Sequence, residues 1–102
     1  MKLSELIKGI DVLQVIGNSD VEVTDIQFDS RRVATGCLFV AQEGTAVDGH
    51  TYIEQCVENG AVAVVLEKEE YIKKNDVCYI LVKNSDEALG KIAHYWYGEP
   101  SK

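Results

Sequence analysis

Three segments of this chain are apolar at every position: residues 37–41 (CLFVA), 61–66 (AVAVVL) and 77–82 (VCYILV). A strand with one wet face alternates apolar and polar side chains, whereas a strand without alternation is covered on both faces. Segments of five or six such residues therefore read as inner strands of a largely parallel sheet. Two earlier segments have a more exposed character. Residues 12–16 (VLQVI) are few, and residues 21–28 (VEVTDIQF) alternate imperfectly, with Val21 and Val23 out of phase with Ile26 and Phe28. A bulge near Thr24 and Asp25 would supply the phase change.

Helical spacing fills the intervals. Leu3, Leu6, Ile7 and Ile10 share one face of a short first helix that Gly9 can end. Tyr52, Ile53, Cys56 and Val57 recur as a second face, with Asp48 placed as cap and Gly60 as stop. Ala88, Leu89, Ile92, Ala93, Trp96 and Tyr97 form the clearest stripe. Asn84 and Glu87 suit a capping-box-like start to that last helix, and Gly98 with Pro100 suit its end. Residues 67–76 (EKEEYIKKND) read as a solvated connection containing a helical turn. The expected fold is α/β and three-layered. A mostly parallel or mixed sheet of about five strands carries helices on both faces, and residues 1–102 form one domain.

Charge and cysteine usage narrow the function classes. A net charge of −7 argues against nucleic-acid binding, which needs clustered Lys and Arg to displace counterions. Cys37, Cys56 and Cys78 are three in number, lie within apolar runs and have no C-x-x-C spacing. They read as buried free thiols in a reducing, cytoplasmic setting, neither a disulfide framework nor a zinc site. The start, MKLSELIKGI, is too polar for a signal peptide, and no apolar run reaches membrane-spanning length.

No catalytic constellation stands out. His50 and His94 are the only histidines, and neither has metal-ligand spacing to other His or Cys residues. His94 reads as a boundary residue of the last helix. There is no G-x-x-x-x-G-K-[ST] loop and no G-x-G-x-x-G after a strand. Binding has better support. Asp29, Ser30 and Arg31 follow a strand end, where Ser30 offers a hydroxyl and Arg31 a planar fork for a carboxylate or phosphate. Residues 42–48 offer Thr45 and backbone N–H groups near a helix start, a favourable place for an anion. The bland alternative is that Asp29 and Ser30 form a hydrogen-bonded turn and Asp48 caps a helix. Residue chemistry alone leaves both readings open.

A resemblance adds to this. D-S-R at 29–31, G-x-L-F-V-A at 36–41, Gly44, D-G-H-T-Y-I at 48–53 and N-G-A-V-A-V-V at 59–65 occur in order. KLSELI at 2–7 and ALGKIAHYWYGEPS at 88–101 extend the match to both ends. Together they resemble the amino-terminal domain shared by the later Mur ligases, cytoplasmic enzymes that extend the peptide of peptidoglycan precursors. The two ends look like the member that adds the third stem residue, diaminopimelate or lysine. The ligase adding D-Ala-D-Ala is the nearest alternative, and a standalone binding module is the alternative from another class.

The resemblance implies that the domain holds the uridine-nucleotide end of UDP-N-acetylmuramoyl-L-alanyl-D-glutamate. The positions it assigns are Phe28, Ser30, Thr45, Ala46 and Val47, with Asp29, Arg31, Asp48 and His50 in support. It assigns no catalytic or metal-binding residue within this chain. The family's phosphate loop, carbamylated lysine and amino-acid pocket belong to later domains, so the implied parent uses ATP and Mg2+ while this chain alone is expected to be inactive. Its partners would be the UDP-linked precursor and the parent's central and carboxy-terminal domains, with no nucleic acid and no membrane. In the implied reaction ATP phosphorylates a glutamate carboxylate of the substrate, and an amine then displaces phosphate to leave an amide.

Overall fold

In the computed structural model, which describes residues 2–42, 49–72 and 77–98, the three apolar segments are neighbouring parallel strands. These are β3 (Cys37–Val40), β4 (Ala63–Leu66) and β5 (Cys78–Val82). β2 (Asp25–Gln27) lies parallel outside β3, and β1 (Val12–Ile16) lies antiparallel outside β5. The sheet order is β1-β5-β4-β3-β2. Every residue of β3 and β4 is buried, as the lack of alternation requires.

The side chains of the inner strands divide by parity between two layers. Leu38, Val40, Ala63, Val65, Cys78, Ile80 and Val82 face a layer made by α1 (Leu3–Leu6) and α3 (Ser85–Gly98). Phe39, Val64, Leu66 and Tyr79 face Ile53 and Cys56 of α2 (Ile53–Glu58) on the other side. Burying one such large apolar side chain contributes about 1.5–3 kcal/mol, and these two layers carry the stability of the fold. All three cysteines are buried free thiols.

Local signals end the elements where chemistry demands. Asn84 Oδ1 accepts the Glu87 N–H at 3.0 Å, which caps α3, while the Glu87 carboxylate pairs with Lys91 at 3.1 Å one turn on. α1 continues as a 3-10 turn, Ile7–Gly9. α2 is preceded by a 3-10 turn, Gly49–Tyr52, and the expected cap Asp48 lies outside the described residues. The charged connection carries the anticipated single turn, Glu69–Tyr71.

Two expectations need correction. Residues 21–28 are not one bulged strand. Glu22 forms an isolated bridge with Lys2, Thr24 N–H then donates to Gly36 O at 2.9 Å, and only Asp25–Gln27 joins the sheet. The phase change in the sequence marks a change of partner rather than an inserted residue. The α3 stripe also divides. Ala88 and Ile92 are buried, and Tyr95 and Trp96 pack at the margin of the core. Leu89 packs at that margin too and, with Ala93 and Tyr97 at four-residue spacing, lines a groove toward β2, where Tyr97 is 71% exposed. His94, expected at the boundary, is exposed.

Candidate functional site

The four parallel strands end at one edge of the sheet, where ligands of α/β folds collect. On β2, the outermost parallel strand, the chain leaves through Phe28, a large aromatic residue that is 63% exposed. Asp29 then turns the chain into a short 3-10 helix, Ser30–Arg32. Its Oδ1 accepts the Arg31 backbone N–H at 3.0 Å, and its backbone carbonyl accepts the Arg32 N–H at 2.9 Å. The Arg31 side chain folds back on the same carboxylate, with Nε on Oδ1 and Nη2 on Oδ2, both at 3.1 Å. The guanidinium beside Asp29 holds its carboxyl below the usual carboxylate value, first through the side-chain bonds and then through the backbone bond. The fork expected to grip an outside anion thus has an internal partner, although the Arg31 side chain stays 85% exposed.

Further along the edge, Gln42 follows β3, Glu67 follows β4 and Ser85 follows β5 by three residues. Glu67 Oε2 accepts the Ser85 N–H at 2.6 Å and the Ser85 hydroxyl at 2.5 Å. Ser85 is 1% exposed, so this pair buries a polar group with its partner in place. Beside it Gln42 Nε2 donates to Asp86 Oδ1 on the first turn of α3. None of these four residues stood out in the sequence. Gln42 is merely the first polar residue after an apolar run, and Ser85 and Asp86 read as part of a helix start.

A groove of about 290 Å3 runs between β2 and α3 below this edge. Ile26, Phe28, Leu89, Ala93 and Tyr97 supply its apolar walls, and among the described residues Asp86 supplies its one charged group. Another cleft, of about 440 Å3, lies between Leu13 of β1 and Lys83, Glu87 and Lys91 near the start of α3, and none of the anticipated residues lines it. Phe28, Asp29 and Arg31 are thus brought together. Of Ser30 and His50 the backbone alone is described, in the 3-10 turns Ser30–Arg32 and Gly49–Tyr52. Thr45, Ala46, Val47 and Asp48 lie outside the described residues. Among the described residues no group of three His, Cys, Asp or Glu is placed to hold a metal ion, and no helix is long and apolar enough to cross a membrane.

Residues 22–97 match the family described as "Mur ligase family, catalytic domain". This chain belongs to the Mur ligase family. It is 46% identical, over its whole length, to the UDP-N-acetylmuramoyl-L-alanyl-D-glutamate–2,6-diaminopimelate ligase of Parabacteroides distasonis. Enzymes of the same name from Bacteroides fragilis and Clostridioides difficile are 44% and 36% identical over 99% and 100% of the chain. In each case the match covers 21% of the relative, so this Mur ligase chain spans about a fifth of the length of its curated relatives. Among solved structures, MurF from Acinetobacter baumannii superposes with a TM-score of 0.75 at 23% identity, over 92% of this chain and 20% of that one. MurF from Thermotoga maritima in complex with ADP gives a TM-score of 0.62 at 32% identity, over 72% of this chain and 17% of that one. The five-stranded mixed sheet with helices on both faces is therefore the fold of this family.

Proposed function

We propose that this chain is the amino-terminal domain of an ATP-dependent ligase that joins diaminopimelate to UDP-N-acetylmuramoyl-L-alanyl-D-glutamate, and that it holds the uridine-nucleotide end of that substrate. The observation that carries the reading is the identity of 43–46%, across essentially the whole chain, to ligases named for that reaction. Phe28, Ser30, Thr45, Ala46 and Val47 are the proposed contacts, with Asp29, Arg31, Asp48 and His50 in support. The exposed ring of Phe28 at the sheet edge, next to an anchored turn, supports such a role. With this reading go a cytoplasmic setting, ATP and Mg2+, and further domains that carry the bond-forming chemistry. The 102 residues contain no phosphate-binding loop, so the chain's part is to capture and orient the nucleotide end.

The test is to express the full-length product of the gene with ATP, Mg2+ and the UDP-linked dipeptide. ADP release that depends on diaminopimelate, and not on lysine, is expected. Turnover with D-Ala-D-Ala instead would move the chain to the other ligase, and none with any of these amines would end the reading. On the same protein, Ser30→Ala should weaken binding of the UDP-linked substrate about three- to thirtyfold, the size of one lost hydrogen bond. Thr45→Ala should fall at or below the bottom of that range, because Gly44 beside it lets backbone or water replace a lost contact.

A further inference from the structure

Gly90 lies inside α3, where glycine weakens a helix relative to alanine and so usually answers a packing need. Nothing within this domain supplies that need. Gly90 is exposed, and among the described residues a Cβ built on it would meet no heavy atom within 4 Å beyond its own helix. The side chain is missing where this domain has room for one.

Apolar surface borders the vacant space on both sides. Gly90 lines the groove toward β2, and it also lines a second groove, of about 370 Å3, that holds Leu6 and Tyr95 on the α1 side. The β2 groove contains Phe28 and Tyr97, the two most exposed large apolar side chains among the described residues. Exposed apolar side chains gathered at one groove mark a face that something covers. A glycine between two such grooves lets the covering element come close to the backbone of α3.

Position selects the occupant. Tyr97 is one residue from the end of α3, so polypeptide continuing from that helix sets out beside the groove. The match to the curated ligases covers only 21% of their length. A domain tethered to α3 is held at high effective concentration and can settle on a modest face, whereas a free partner or a second copy needs a larger one.

We propose that the α3 face centred on Gly90, with the groove toward β2, is the seat of the domain that follows this one in the parent protein, and that Gly90 is the point of closest approach. This rests on the function proposed above, in which the chain is the amino-terminal domain of a longer ligase.

The experiment footprints the full-length gene product with hydroxyl radicals, without ligand, and reads Tyr97 by mass spectrometry. Phe28 is left out of the readout because the nucleotide end is proposed to meet it. Tyr97 should lose most of the labelling that its exposure in this domain requires, and regain it in denaturant. Gly90→Arg sets a long cation on the seat without striking a neighbour in this domain, so it should restore Tyr97 labelling in the folded protein. A fully reactive Tyr97 in the wild type overturns the proposal. So does protection that persists in Gly90→Arg, that disappears on dilution as a second copy would give, or that arises only when the UDP-linked dipeptide is added. If Gly90→Arg does not fold, the wild-type footprint decides alone. Diaminopimelate-dependent ADP release from a protein with reactive Tyr97 overturns this seat alone, whereas a reading frame with no further domain after α3 overturns the function proposed above with it.

Discussion

Asp29 anchors its turn with one carboxylate, which accepts both the backbone N–H and the guanidinium of Arg31. Because those bonds favour the charged form, its folded-state pKa lies below the ordinary value of 3.8. A depressed carboxylate stabilises the fold fully above that ordinary value and loses its contribution as pH falls through the lower folded value. Wild type should therefore melt above Asp29→Asn at neutral pH, and the two curves should converge below about pH 4. A gap in Tm that is the same at pH 3 and pH 7 would remove the ion pair as its cause. The cysteines report on the core. Burial, and then the neighbouring Cys37 and Asp29, push the Cys56 thiol up to about 12, and burial raises Cys78 as well. All three thiols are buried, so they should label with a thiol reagent at pH 8 at the rate of unfolding and fast in denaturant. Prompt labelling of the native protein would contradict the two-layer core.

At the scale of elements, the turn after α2 is the most constrained point. Gly60 has φ +110°, and a Cβ there would stand 2.6 Å from the Cα of Thr35 and 2.9 Å from its backbone N. Those are backbone atoms that cannot swing away, and Gly60 O also accepts the Gly36 N–H at 2.9 Å. Gly60→Ala should destabilise the fold by about 2 kcal/mol or more in urea titration, since it combines left-handed strain with a clash. Asn84→Ala should cost about 1 kcal/mol, the usual loss for a helix cap. The same elements mark what can be read from sequence. β3, β4 and β5 were legible because burial on both faces removes every polar residue from a strand, and α3 because its apolar positions repeat with the helical period. The break within residues 21–28 was not, because the two partners of that segment, Lys2 and β3, are chosen by tertiary packing. Of the candidate site, the D-S-R turn was visible as polar chemistry at a strand end. The ties Gln42–Asp86 and Glu67–Ser85 join residues far apart in sequence, and nothing local in any of the four announces its partner.

For the molecule as a whole, the function proposed above leaves ATP turnover to the parent's later domains, and no G-x-x-x-x-G-K-[ST] loop occurs in these 102 residues. Purified alone, the chain should hydrolyse no ATP and form no peptide bond with any amine supplied, as measured by ADP release. Turnover that stays with the folded chain through further purification would defeat that expectation. The open flank of the sheet matters at this scale too. β2 is three residues long and carries the Asp25 carboxylate, which accepts from the Ile26 N–H and the Gln27 side chain. A short, charged edge discourages strand-to-strand association between copies, so Asp25→Val should raise aggregation in light scattering. The opposite flank has a different consequence, for the order in which the chain is made. Within these residues β1 precedes the other strands, yet its sole neighbour in the sheet is β5, with Val12 opposite Val82. Until that last strand exists, β1 has no place to pair, and closing so long a loop carries an entropic cost that local contacts do not offset. A nascent chain stalled anywhere before residue 77 thus holds its first strand as an unpaired ribbon. The β1–β5 pair closes only after β2, β3 and β4 are available to one another.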